Sequence, residues 1–488
     1  MITKHPIQAL IIGSGAGGAM TAQVLSSAGM DVLILEEGRR WDLFDYGSNC
    51  PEGMRKMYRR RGMTPIMGNV PIGYTEGRCY GGGTEINSGF WHRTPPEILL
   101  RWRSQYDLDS ASSKDLEEHF KWLEGQLHVS FYGKEWPPST RIFARGIEAM
   151  GWSYQEVPRV VTDCEGLNYC PNGCPKGAKK SMSLTLLPQA EQAGAKVLTN
   201  CRVKMLIKQK KRVTGILASL LRENGSEELI RIDAENVFVC GGATETPALL
   251  RRSGIRFHIG DSFRIHPMLK VAARFNEEIN SYRSVLPLLQ VKEFWPEISL
   301  GGAFFALGHL GMLLSENWLT NKQHMAQFRN IAMFYIAVRG TGKGTIRSSM
   351  TGEDTTSIRY ELSREDLWNL SKGLAHLCVL LLAAGAVEVY PSVYGLNPID
   401  NEIEAIRWLD ELLPKSSLSL TTIHAFSSCP MGERIDRCAA DSFGKVYHFE
   451  NLYVNDGSMI PDSPGVNPQG TIMAFARRNA IHFVEEQR

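Results

Sequence analysis

Uninterrupted apolar runs and helical periodicity alternate along the chain in a readable order. Ala9-Leu10-Ile11-Ile12 reads as a strand buried on both faces, and Val32-Leu33-Ile34-Leu35 as a second. Between them the segment Gly13-Ser14-Gly15-Ala16-Gly17-Gly18 opens a small-residue helix, Ala19 to Ala28, that stops near Gly29. This is the length of a right-handed parallel crossover. Residues 40–75 are polar, rich in Arg and broken by Pro and Gly, which predicts loop and short helix, whereas 97–150 carry helical patterns such as Ser113 to Leu127. From Ala195 strands follow: Lys196 to Thr199, Val203 to Ile207 and Thr214 to Leu220, with Lys208 to Arg212 as a solvated hairpin turn. Val237 to Cys240 is a further strand running into Gly241-Gly242. Residues 268–362 read as β-rich, with Phe334 to Val338 and Thr345 to Ser349 joined by a plain hairpin turn at Gly340-Thr341-Gly342-Lys343-Gly344. Ser363 with Asp366 three residues on caps an amphipathic helix reaching Ala386. A strand at Leu452 to Val454 and a helix from Gln469 to Glu486 close the chain, and there is no internal repeat.

Length and composition narrow the class. A chain of 488 residues implies two or three domains. Lys+Arg 54 against Asp+Glu 52 leaves a net charge of +2, so no global field points to nucleic acid or an anionic membrane. The 46 glycines cluster in a few loops, which favours close backbone approach to a ligand. Ten cysteines are too sparse for a disulfide scaffold. The most apolar stretch, Leu374 to Val389, is interrupted by His376 and Glu388 and is shorter than a membrane span requires. Nothing ahead of the first glycine motif reads as an export signal. The expectation is a soluble, cytoplasmic protein with no membrane span and no nucleic-acid partner.

Gly13, Gly15 and Gly18 form G-x-G-x-x-G between a strand and a helix, with Glu36 23 residues after Gly13 at the end of the next strand. Such glycines permit a tight turn and let backbone N–H groups approach a pyrophosphate at the positive end of the helix. The carboxylate can accept both ribose hydroxyls, which disfavours a 2′-phosphate. The alternative is a glycine-rich turn with no ligand. A second triplet, which would mark a second dinucleotide, is lacking; Gly340 to Gly344 also fails as a phosphate loop, because Gly344 stands where Ser or Thr is required.

Four separated segments resemble the glucose–methanol–choline (GMC) flavin oxidoreductases. Gly77 to Asn87 looks like the family's first signature and Gly242 to Ile255 like its second, which departs at Arg256 where Gly is usual. Asn451 to Ser458 with Gly465-Val466-Asn467-Pro468 and Thr471 resembles the C-terminal flavin segment, and His424 with Cys429, Met431 and Gly432 resembles the catalytic-histidine stretch. The resemblance implies FAD and an α/β fold: a Rossmann-like FAD-binding domain (residues 1–267 and 424–488, with a loop and helical insertion near 97–150) and an inserted β-sheet-plus-helix substrate domain, 268–423. To the dinucleotide residues Gly13, Ser14, Gly15, Ala16, Gly18 and Glu36 it adds Gly82, Gly83, Thr84, Asn87, Val203, Asp456, Gly457, Asn467, Pro468 and Thr471. Some members bond FAD covalently through a His just before the Asn; Ile86 stands there, so dissociable FAD is expected.

The resemblance also names a catalytic pair, His424 as general base and Asn467 as hydroxyl partner, 43 residues apart. Removing an alcohol proton suits a neutral imidazole poised near pH 7. His266 is expected to be structural, at a junction between domains, and His92 is a weaker second candidate. Cys164, Cys170 and Cys174 lie within eleven residues, in a stretch similar to the long-chain-alcohol-oxidase branch. They are read as a tight loop packed over the flavin, with an iron–sulfur or other metal cluster, or a reversible disulfide, as the lesser alternative. The function implied is oxidation of a primary or secondary alcohol by hydride transfer to flavin, with oxygen, a quinone or a cytochrome as acceptor. The apolar run Gly301 to Leu307, if it lines the pocket, favours a hydrophobic or aromatic alcohol. The alternatives are a redox-neutral flavin lyase or photodecarboxylase, and a non-catalytic FAD-binding subunit.

Overall fold

Strand Ile7–Ile12 sits inside a seven-stranded sheet in a computed structural model that describes residues 5–47, 49–348 and 356–488. It pairs in parallel with Val32–Leu35 on one side and with the end of Glu227–Val239 on the other. Lys196–Leu198 and Leu452–Val454 extend the parallel part, and Glu227–Val239, Arg212–Leu221 and Cys201–Gln209 form an antiparallel meander. The expected turn at Lys208 to Arg212 closes that meander. The helix expected from Ala19 begins earlier, spanning Ala16–Ser27. Gly17 and Gly18 belong to its first turn because their missing side chains admit other backbone. A Cβ on Gly17 would lie 2.0 Å from the Asn455 carbonyl oxygen, and one on Gly18 2.0 Å from that of Gly13.

A nine-stranded sheet forms the second layer. Its central strands Met268–Phe275 and Ile331–Val338 are buried along their apolar faces and pair antiparallel. Two short strands from the segment expected to be loop, Thr64–Ile66 and Ile72–Tyr74, join one edge, and Tyr154–Glu156 joins the other. The β-rich stretch is interrupted by the helix Leu307–Leu314 and the irregular helical turns that follow it to Asn330.

The glycine segment 340–344 is not a hairpin turn. Ile331–Val338 pairs with Met268–Phe275 and Ile298–Gly302, whereas Lys343–Ser348 pairs with Thr356–Glu361 in a separate ribbon, so the glycines carry the chain from one sheet to another. Ser349, the expected end of that strand, lies outside the described residues. Side chains are excluded at the crossing: a Cβ at Gly340 would meet the Ile265 carbonyl oxygen at 2.3 Å and one at Gly342 that of Glu361 at 2.2 Å. Asp366, in the first turn of helix Arg364–Ala383, accepts the N–H groups of Thr341 and Gly342 and the Tyr360 hydroxyl. The capping box with Ser363 is formed. Ser363→Ala is expected to cost about 1 kcal/mol, read as a lower unfolding midpoint.

Candidate functional site

A cavity of about 1440 Å³ runs between the two sheets, more than the usual range of about 300–1,000 Å³ for a single small-molecule pocket. Of the residues expected to bind cofactor, all but Gly18 and Thr471 line it. Gly18 packs behind the turn, and Thr471 is buried, accepting a hydrogen bond from the Thr94 hydroxyl at 2.9 Å. The three motif glycines divide their tasks. Gly13 has φ +105° and holds the turn against Cys240, whose carbonyl oxygen would lie 2.3 Å from an added Cβ. Gly18 admits the Gly13 carbonyl. Gly15 faces the opening, where an added Cβ would meet nothing nearer than the Gly82 Cα at 4.0 Å. Bare backbone also faces open space at Gly83 and Gly242. A cradle of this kind, at the N-terminus of helix Ala16–Ser27, fits a dinucleotide pyrophosphate.

Glu36 is buried at this end of the cavity, accepting the backbone N–H and hydroxyl of Ser14 at 3.0 and 2.7 Å and the Gly38 N–H at 2.8 Å. Burial raises its pKa, and these donors oppose the rise. Val203 lines the cavity where the Cys201–Gln209 strand shifts register. Asp456 accepts the N–H groups of Ser458 and Gly242, tying the C-terminal segment to the start of helix Gly242–Arg252. The Asn87 amide donates to the Gln469 side chain at 2.6 Å and accepts the Gly89 N–H at 3.0 Å. It thereby fixes the glycine loop to the first turn of helix Gln469–Glu486. Asn467, Pro468 and Gln469 bring the N-terminal end of that helix into the same wall.

His424 and Asn467 meet. The pairing of Ile265 with Ala425 and Arg264 with Phe426 in a short antiparallel ribbon sets His266 beside His424, their Nδ1 atoms 3.0 Å apart. On its other side His424 Nε2 stands 3.3 Å from Asn467 Nδ2. Asn467 Oδ1 accepts from the Gln290 amide, which also donates to the Tyr335 hydroxyl at 2.6 Å. His92 and Lys292 face the other end of Gln290, its Oε1. His92 is thus two residues removed from His424 in this chain of contacts and does not line the cavity. Burial lowers the pKa of His424 to about 4, well under a base poised near pH 7. Its hydrogen-bonding partners are an imidazole and an amide rather than a carboxylate, so nothing offsets the desolvation of the imidazolium.

The cysteine segment packs against the glycine loop. Buried Lys179 donates to the carbonyl oxygens of Glu85, Asn87 and Cys170 at 2.5, 2.9 and 2.6 Å, joining the two segments through one ammonium. Pro171 and Asn172 reach the cavity wall. Among the described residues no group of three His, Cys, Asp or Glu is placed to hold a metal ion, and no helix is long and apolar enough to cross a membrane. Sequence reasoning missed Gln290, Tyr335, Lys179 and the place of His266; only Lys179, at the end of the Cys-x-x-x-Cys stretch, had a sequence signal nearby.

The fold and its cradle define a dinucleotide-binding architecture. Family models described as GMC oxidoreductase match residues 8–268 and 340–476. The chain belongs to the GMC oxidoreductase family, which indicates FAD as the cofactor. It is 40% identical to an uncharacterized GMC-type oxidoreductase, y4nJ, of Sinorhizobium fredii, over 97% of this chain and 93% of that one. It is 26% identical to a long-chain-alcohol oxidase, FAO3, of Arabidopsis thaliana, over 96% of this chain and 66% of that protein. Its fold is similar to the crystal structure of pyridoxine 4-oxidase from Mesorbium loti, with a TM-score of 0.73 at 16% identity, covering 98% and 99% of the two chains.

Proposed function

We propose that the protein oxidises a primary or secondary alcohol with non-covalently held FAD, His424 acting as base and Asn467 orienting the hydroxyl. The observation that carries this reading is the 3.3 Å approach of His424 Nε2 and Asn467 Nδ2 in the wall of the cavity that also contains the glycine cradle. Isoleucine at position 86, in that same wall, supports a dissociable cofactor. Ten unpaired cysteines support a reducing, cytoplasmic setting.

When bound, the flavin supplies an acceptor for the carbinol hydride. The hydroxyl proton goes to His424 Nε2, and the Asn467 amide N–H holds the oxygen as it gains negative charge. The carbinol thereby becomes an aldehyde or ketone. For Nε2 to receive a proton, the hydrogen of the neutral ring must sit on Nδ1 and be accepted by His266 Nδ1, which places the His266 hydrogen on Nε2 in place of the bond accepted from Gly465. His266 is a positioning residue in this scheme. His266→Phe removes that acceptor and is expected to lower kcat about 10-fold or more, while His266→Asn, which keeps an acceptor at the Nδ1 position, restores most of it and the wild-type pH profile. The test of the whole reading is anaerobic flavin reduction across a panel of alcohols. Bleaching by some alcohols supports it, and turnover with the flavin remaining oxidised, or no response to any alcohol, overturns it.

A further inference from the structure

Past the catalytic pair the cavity continues along the inner face of the second sheet. Met268 pairs with Thr421, close to His424, and Lys270 follows two residues on, about 7 Å along the strand and on the same face. Lys270 lies opposite Tyr335 of the neighbouring strand, the residue whose hydroxyl is tied through Gln290 to Asn467. Both Met268 and Lys270 line the cavity.

Two polar groups in this chamber are unmatched. The Lys270 ammonium has no hydrogen-bond or ion-pair partner among the described residues, and burial alone pulls its pKa down, with no carboxylate to offset it. Glu316 also lines the cavity but does not supply that counter-charge. His309, on helix Leu307–Leu314, lines the same cavity, and its buried Nδ1 has no partner. It lies near enough for the lysine charge to help lower its pKa to about 4, behind the larger effect of burial. The surrounding wall is apolar, with Ala303, Phe304 and Met312. A cation held among such residues without an anion is costly unless a ligand brings one.

We propose that Lys270 and His309 receive an anionic group, a carboxylate or phosphate, at the far end of the alcohol substrate. The substrate is then an amphiphile, with its carbinol at His424, an apolar body along Met268 and Phe304, and its anion at Lys270. This rests on the alcohol-oxidation reading, and it narrows the hydrophobic alcohol expected from the run Gly301 to Leu307: the apolar wall surrounds a charged anchor.

The experiment compares ω-hydroxyalkanoates, ω-hydroxyalkyl phosphates and uncharged primary alcohols of matched length, roughly six to twelve carbons, on the FAD-loaded enzyme. The charged substrates are expected to show kcat/KM at least about 10-fold above the alcohols. That ratio should collapse to about 1 or below in Lys270→Met and persist in Lys270→Arg. The carboxylate and phosphate arms tell which anion the site takes. Independently of turnover, calorimetry with linear alkanoates, which cannot be oxidised at a carbinol, should show binding weakened at least about 10-fold in Lys270→Met. Equal kcat/KM for charged and uncharged alcohols, or an unchanged ratio in Lys270→Met, overturns the proposal. If no alcohol reduces the flavin, the alcohol reading itself fails, and the alkanoate titration still decides whether Lys270 binds anions: undiminished affinity in Lys270→Met overturns that too.

Discussion

His424→Ala is expected to purify with FAD bound and to be reduced by its substrate about 10² to 10⁴ times more slowly than the wild type. The side chain stands in the cavity wall beside Asn467 and contributes no hydrogen bond to the glycine cradle, so cofactor retention and loss of proton transfer should separate cleanly. The pH dependence follows from burial. The imidazole must be neutral to take a proton, and its pKa is lowered to about 4, so the reductive rate should rise with pH through about 4 and stay flat above. That acid limb should vanish in the alanine variant. Stopped-flow reduction under anaerobic conditions measures both, and near-normal reduction of His424→Ala would remove His424 from the role.

Gly15→Val should give a folded protein that has lost its yellow colour. An added Cβ at Gly15 meets only the Gly82 Cα, at 4.0 Å, so the first obstruction a branched side chain creates is in the opening where bare backbone is presented. FAD affinity is expected to fall at least about 100-fold, or about 2.7 kcal/mol, with the circular dichroism spectrum preserved. Gly13→Ala should behave differently. Its methyl group would collide with the Cys240 carbonyl at 2.3 Å, and a φ of +105° is strained for alanine, so folded yield itself should drop. Fluorescence titration with FAD distinguishes the two, and unimpaired binding by Gly15→Val would show that the cradle does not hold the pyrophosphate.

The nucleotide end of the site was legible because its demands are local. A turn that brings backbone to a phosphate needs glycine at fixed spacing after an apolar strand, and Gly13, Gly15 and Gly18 occupy three distinguishable roles. The helix Gln469–Glu486 and the Ser363 cap were readable for the same reason. Pairing between distant strands was not. An uninterrupted apolar run marks Ile331–Val338 as a strand but does not say that its neighbours are Met268–Phe275 and Ile298–Gly302 rather than the next strand along, and that is why the glycine crossing resembled a hairpin turn. His266 was assigned to a domain junction because only the ribbon between Arg264–Ile265 and Ala425–Phe426 reveals its ring against His424. Lys270 had no signal at all: a lone lysine within a strand usually marks a solvated face, and its isolation emerges only when the sheet is covered.

The Gly465 amide gives the histidine pair a competing hydrogen-bond donor. It donates to His266 Nε2 at 3.2 Å, which favours the hydrogen of His266 on Nδ1, directed toward His424. Asn467 Nδ2 faces the other end of the pair, at His424 Nε2; two neutral rings sharing one hydrogen between their Nδ1 atoms leave a single outer lone pair, so only one of the two N–H groups can be accepted at a time. Gly465, Val466 and Asn467 all border the cavity, so both competing donors come from one loop. In the proposed reaction His424 must direct that lone pair into the cavity, so the balance between the two tautomers sets the fraction of enzyme ready to react.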